Sequence, residues 1–378
     1  MNLPFGFEST STHRGILAGL LLASAAFSQA IAIIDTHIHI FDPSRPGGVP
    51  WPGLNSDIYR TTLPAQYDLV GKPAGVTGVV IVEASPLLED NQWVLDKIRD
   101  LPGYHGVIGN LTPGTVEFAS HLERFSKEPK YLGIRLRTAR VSRAGLSAEV
   151  LRDLRDLAAK GRVLEFQIQR GDFNSLDAAM AVAEQVPDLP IMLGHLASAT
   201  VDGKAPDSAW TAAIQAIAKH PKVYCKISGL VNQAAVRPSP LDSAYYQPLL
   251  DVLWGAFGSE RLVYGSNWPV SEDSNEGRPG SFTAQQQLIM AYFQGKGAAA
   301  ADNAMAGNAA RFYRIKPASS TLIGSPRKPV AGAGIGEGFG TGRPFYSLLG
   351  RFNQEPGRPY CFTREPGHSA GKHPGLTR

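Results

Sequence analysis

Cysteine is scarce in this chain. Two residues in 378, Cys225 inside an apolar run and Cys361 near the end, supply neither a disulfide framework nor the paired spacing of a structural zinc site. Long hydrophobic runs are scarce too. GILAGLLLASAAF, at 15–27, is too short to cross a bilayer comfortably. His13 and Arg14 precede it, and SQA and AIA follow, so residues 1–32 read as a signal peptide with cleavage after Ala30 or Ala32, or as an N-terminal anchor. The first reading implies a periplasmic or secreted protein, the second a membrane-anchored one, and no other membrane contact is expected. A basic stripe is also missing. The chain carries a net charge of +4, but 319–378 holds eight Lys and Arg against three Asp and Glu, which leaves the rest with one net negative charge. The basic pI therefore belongs to the tail, and a nucleic-acid partner is not expected.

What the chain does have is repetition. Eight short apolar runs recur: IIDTHI (33–38), GVVIVEA (78–84), HGVIGNL (105–111), YLGIRLR (131–137), VLEFQI (163–168), PIMLGH (190–195), VYCKIS (223–228) and RLVYGS (261–266). Each is nearly continuous in apolar residues, as parallel strands covered on both faces require. Between them lie amphipathic helical patterns. In LSAEVLRDLRDLAAKG, Leu146, Val150, Leu154 and Leu157 keep helical spacing, Ser147 opens the helix and Gly161 closes it. Eight alternations predict an α/β fold of the (β/α)8 barrel type over 33–316. No Gly-rich dinucleotide fingerprint follows any run, which removes the usual mark of an open doubly wound sheet. Residues 317–378 differ in kind. They are rich in Gly and Pro, hold GAGIGEGFGTG and keep no period, so a disordered basic tail is expected there.

Barrel enzymes build their sites at the C-terminal ends of the strands. His37 and His39, one residue apart at the end of the first run, point the same way. His195 closes the sixth run and Asn267 follows the eighth, so all four are expected at one mouth. Glu83 ends the second run, Arg135 lies in the fourth, and Gln167 and Lys226 sit near the ends of the fifth and seventh. These four are candidate substrate contacts, with an ion pair of Arg135 to Glu83 or Glu165, a structural ion pair for Lys226 and a core amide for Gln167 as the competing assignments. Trp268 stacks on a sugar ring or plugs the barrel rim. The Pro-rich VPWPGLN after the first run is either a stiff connector or part of a lid.

DTHIHIFD, GHLA, YCKISGL and YGSNWPV, in that order and in a barrel pattern, resemble the amidohydrolase-related family (amidohydrolase 2) over about residues 33 to 315, in the branch of sugar-lactone and pyrone-dicarboxylate lactonases and zinc-dependent decarboxylases. The resemblance implies that His37, His39 and His195 bind a divalent metal (Zn or Mn), or in metal-free members polarise the substrate carbonyl. Three imidazole ligands with an open position suit such a catalytic ion. The family's usual Asp at the eighth strand, a general base, is Asn267 here. An amide cannot take the proton, so either a metal hydroxide forms with Asn267 only orienting it, or Glu83 or Asp273 supplies the base. The implied activity is a hydrolase opening a small polar lactone by water attack. The alternatives are a metal-dependent decarboxylase and a secreted carbohydrate-binding protein on a decayed site. In each case the partner is a small molecule, and the oligomeric state is open.

Overall fold

A computed structural model describes Met1 and residues 32–137, 143–168 and 174–315. The expected leader (1–32) lies almost wholly outside the described residues, and the tail (317–378) entirely so. Strands and helices alternate as the sequence predicts: β1 (Ile33–Ile38), α1 (Pro64–Gly71), β2 (Val76–Val82), α2 (Leu88–Ile98), β3 (Tyr104–Gly109), α3 (Phe118–Ser126), β4 (Tyr131–Arg137) and α4 (Ala148–Ala159) form the first half. β5 (Val163–Gln167), α5 (Asn174–Gln185), β6 (Ile191–Leu193), α6 (Ser208–Ile217), β7 (Val223–Ser228), α7 (Ser243–Phe257), β8 (Leu262–Gly265) and α8 (Phe282–Gly295) form the second. Two short helices, α9 (Ala298–Asp302) and α10 (Asn308–Tyr313), follow around one π-helical turn. Helix α4 shows the local logic. The Ser147 hydroxyl caps it by accepting from the Val150 N–H, and Leu154 and Leu157 bury completely on its inner face.

All eight strands run parallel, in the order β1 to β8. The ring closes at the β1/β8 seam without a full ladder. His39 N–H donates to the Trp268 carbonyl (2.8 Å), Asn267 N–H donates to the His37 carbonyl (2.8 Å), and Ile38 bridges Trp268. One apolar cluster, with Ile38, Ile81, Ile134, Leu164, Leu193 and Ile227, packs the strands against the helices. A second fills the barrel interior with Ile34, Val80, Ile108, Met192 and Val263, and α10 plugs that end with Phe312 and Tyr313. Asn308 pins the plug by donating to the Leu262 (2.7 Å) and Ser259 (3.0 Å) carbonyls. Among the described residues no helix is long and apolar enough to cross a membrane.

β1 is not a regular strand. Asp35 pairs with Val79 but Ile38 pairs with Ile81, so three steps of β1 face two of β2. This bulge resets the alternation of side chains. Asp35 points to the helices, where it accepts from the Tyr67 hydroxyl of α1 (2.7 Å), while His37 packs inward against His195.

Candidate functional site

The inward phase after the bulge brings three imidazoles together. The ring centroids of His37 and His39 are 5.0 Å apart, and those of His37 and His195 4.4 Å. Room for His37 comes from Gly265 on β8. A Cβ there would stand 2.7 Å from the Cβ of His37, closer than real contacts allow. His195 follows β6 on an unusual turn, since His195, Leu196, Ala197 and Ser198 all have φ between 49° and 54°. Left-handed backbone costs roughly 1–2 kcal/mol per non-glycine residue. Burial of Leu196 and Ala197, a hydrogen bond from Ser198 to the Ile168 carbonyl, and the Ser228 hydroxyl on both the His195 N–H (3.3 Å) and Nδ1 (3.1 Å) offset that strain. Strain of this kind collects at functional sites.

Burial sets the protonation of the cluster. His37 is 1% exposed and His39 4%. Desolvation, then the charges of His195, Lys226, His39 and Arg135, hold His37 well below the usual imidazole range. Desolvation, then Arg135, does the same for His39. Both rings are neutral at physiological pH. The Val82 carbonyl can only accept, so His39 Nδ1, 2.9 Å away, carries the proton and Nε2 the lone pair. Both ring nitrogens of His37 are buried without a hydrogen-bond partner.

These features test whether the residues suit a divalent ion. The neutral rings of His37 and His39, one with orphaned nitrogens and the other with its tautomer fixed by a carbonyl, together with the adjoining imidazole of His195, have the chemistry of such a donor set. Among the described residues, however, no three His, Cys, Asp or Glu side chains close on a single metal position. The chemistry fits an ion; the ring positions do not form a cage around one.

Asn267 follows β8 in the left-handed region (φ 62°), a conformation Asn tolerates. Its side chain is held by Asn232. The Asn232 amide nitrogen donates to the Val270 (3.2 Å) and Glu276 (2.8 Å) carbonyls, so its oxygen faces Asn267 and accepts from Nδ2 (3.0 Å). An Asp at 267 would set a carboxylate against that oxygen. Gly229 makes the approach possible, since a Cβ there would lie 2.9 Å from Asn267 Nδ2.

Above the imidazoles lie two adjoining cavities of about 250 and 340 Å³. His195, Asn267, Gln167, Arg137, Val270 and Glu276 line both. His39, Trp51 and Arg135 complete the first, and Asn232 and Gln233 the second. Arg135 and Gln167 thus stand where the sequence places them. Arg135 is aimed by Glu83, whose carboxylate accepts from Nε (2.7 Å) and whose carbonyl accepts from Nη2 (2.7 Å).

Four candidate roles at the mouth give way, and for Glu83 and Lys226 the structure has the ion pairs that the sequence also allows. Glu83 is an anchor for Arg135 and does not line either cavity. Lys226 is fully buried below the histidines. Its ammonium contacts both Glu165 carboxylate oxygens (2.8 Å each) and the Thr36 carbonyl (2.8 Å), which uses its three protons away from the mouth. Trp268 packs edge-on to Tyr67 (5.3 Å) in the helix-facing core, because the turn after β8 sends it outward. Asp273 is spent accepting from Ser56 and the Asn275 N–H. The aromatic at the mouth is Trp51, from the Pro-rich VPWPGLN loop, edge-on to His39 at 5.6 Å. Trp51, Arg137, Asn232, Gln233 and Glu276 were missed as site residues. The two-residue period of β4 from Arg135 could have found Arg137. Asn232 and Gln233 sit on a short 3-10 turn and Trp51 and Glu276 on loops, none of which carries such a signal.

A family model described as amidohydrolase matches residues 34–315. L-fucono-1,5-lactonase from Burkholderia ambifaria is 29% identical over 285 residues, covering 75% of this chain and 95% of that protein. Two crystal structures of an amidohydrolase from Burkholderia multivorans, one with bound HEPES and one with bound zinc, superpose with TM-scores of 0.66 and 0.65. They are 23% and 24% identical to this chain, covering 75% of it and all of theirs.

Proposed function

Because this chain belongs to the amidohydrolase family, we propose that it is a hydrolase that opens a small, polar lactone of the sugar-lactone type by attack of water on the ring carbonyl. The observation that carries this reading is the convergence of His39, His195, Arg135 and Asn267 on one cavity of small-molecule size, with His37 packed behind the two imidazoles. Its similarity to a lactonase over nearly that protein's whole length supports it.

The walls suit such a substrate. Gln167, Gln233 and Asn267 present amides, a group that hydrogen-bonds ring hydroxyls, while the amide of Asn232 is taken up in holding Asn267 and the Glu276 loop. Trp51 offers an apolar surface for the carbon face of the ring. Arg135, fixed by two bonds to Glu83, can donate to the carbonyl oxygen as charge builds on it. His39, held neutral by burial, and His195 orient water and lactone at the floor. A divalent ion would supply Lewis acidity toward the carbonyl, but His37, His39 and His195 would have to close further to hold one.

The test is a panel of five- and six-membered sugar lactones, read by proton release with an indicator dye, on zinc- or manganese-loaded and on chelator-treated protein. Ring opening of at least one lactone above its spontaneous rate is expected. Binding without ring opening in both forms, or carbon dioxide release from an unsaturated acid instead, would overturn the assignment.

A further inference from the structure

We infer that Glu276 is the general base of this site, taking over from a loop the proton transfer that Asn267 cannot perform at the strand end. The inference rests on the lactone-opening reading above. Water attack needs a group that accepts a proton as the new C–O bond forms. A neutral amide has no such capacity at physiological pH, and Asn267 is further committed to Asn232. Glu83 is ion-paired to Arg135 and lines neither cavity, and Asp273 accepts from Ser56 and Asn275. Glu276 is the one carboxylate among the described residues lining the two cavities, and it lines both.

Its backbone is fixed although its side chain is exposed. The Glu276 carbonyl accepts from Asn232 Nδ2 (2.8 Å) and Arg237 Nη2 (3.1 Å), and the next residue, Gly277, donates its N–H to the Asp273 carbonyl (2.7 Å). Asn232 therefore joins Asn267 and the Glu276 loop through one side chain. The amide at the strand end and the backbone of the loop that carries Glu276 form one hydrogen-bonded unit, which gives the substitution at the strand a counterpart on the loop.

In the reaction, the Glu276 carboxylate takes a proton from water as the water oxygen bonds to the lactone carbonyl carbon. The carbonyl electrons move to oxygen, beside Arg135. On collapse the ring C–O bond breaks, and the proton held by Glu276 passes to the departing ring oxygen. The product is the open hydroxy acid, and lactone plus water balances it.

The experiment compares wild type, Glu276→Gln and Glu276→Ala on the best lactone of the panel, with and without added sodium formate. General-base help is worth about 10²–10⁴ in rate. Both variants are expected to lose about a hundredfold or more in kcat with KM within about threefold of wild type. Formate, entering the space vacated in Glu276→Ala, is expected to restore about tenfold or more. Melting temperatures should stay at the wild-type value, because the side chain is exposed. If both variants keep kcat within about threefold, or if the loss lies in KM and formate restores nothing, the assignment falls while lactone hydrolysis stands. If wild type opens no lactone, the functional reading falls and takes the base with it.

Discussion

The most exacting prediction concerns the ion pair under the histidines. Lys226 is wholly buried and Glu165 1% exposed, so neither charge reaches water. The ammonium makes three contacts of 2.8 Å, and Glu165 accepts a further bond from Tyr313 of the plug helix. Desolvation pulls the Lys226 pKa down, and Glu165 opposes that pull. Replacing Lys226 by Met keeps the stem volume but strands a carboxylate at the barrel centre, with the Tyr313 bond all that remains to it in this network. Breaking a buried pair from one side costs about 3–5 kcal/mol. Replacing Glu165 by Leu as well removes the stranded charge, and such double apolar replacements are often near neutral. Urea unfolding measures both. With a slope of roughly 3 kcal/mol per molar for a domain of this size, Lys226→Met should lower the midpoint by about 1 M or more, and the double variant should recover most of it. A single variant that loses less than about 1 kcal/mol, or a double variant no better than the single, would refute the claim that the pair acts as one structural unit.

Acid should weaken the fold through the same cluster. His37 and His39 titrate well below the usual range in the fold and return to about 6.5 on unfolding. Below about pH 6.5, and down to the lowered folded values, the unfolded chain binds the extra protons. Stability is therefore complete above that pH and falls as pH drops, by up to about 1.4 kcal/mol per unit for each ring. Urea midpoints across this range, with chelator present, should show a slope that His37→Asn reduces. Gly265→Ala should cost about 1–3 kcal/mol, because the new Cβ meets His37 Cβ at 2.7 Å and Ser228 Cβ at 3.0 Å. It should also lower kcat by up to about a hundredfold through displacement of His37. The two tryptophans should separate cleanly. Trp51→Ala should raise KM by about tenfold with little change in melting, whereas Trp268→Ala should cost about 3–5 kcal/mol of stability.

How much of this was legible beforehand follows from what periodicity encodes. The bounds of β1, β4 and β7 match the apolar runs to the residue. The run at 190–195 overshoots β6, which stops at Leu193, because the chain turns left-handed at His195 and no local pattern signals φ. Same-face placement of His37 and His39 followed from the two-residue period. The bulge that decides which face that is depends on register with β2 and is invisible in β1 alone. Depth within the barrel is hidden for the same reason. Lys226 and Ser228 share the inward face of β7, yet Lys226 pairs with Glu165 below while Ser228 holds His195 above. Glu276 and Trp51 lie on loops, whose course is set by tertiary contacts such as Ser56 with Asp273.

The site and the closure of the barrel are one construction. Between β1 and β8 the seam is made by the backbone of His37, His39, Asn267 and Trp268, and by Asp35, whose carboxylate accepts from the Ser266 N–H (2.8 Å) and the His37 N–H (3.2 Å). The bulge that turns Asp35 outward frees His37 to turn inward, so the residue that ties the seam and the residue that enters the site are set by the same extra step of chain. Burial raises the pKa of Asp35 and the surrounding donors oppose that rise, which keeps its carboxylate dependent on the closed seam. A change that loosens the seam should therefore disturb His37 before it unfolds the barrel, since the ring has no side-chain hydrogen bond of its own to hold it. Placement of the imidazole is inherited from closure of the sheet.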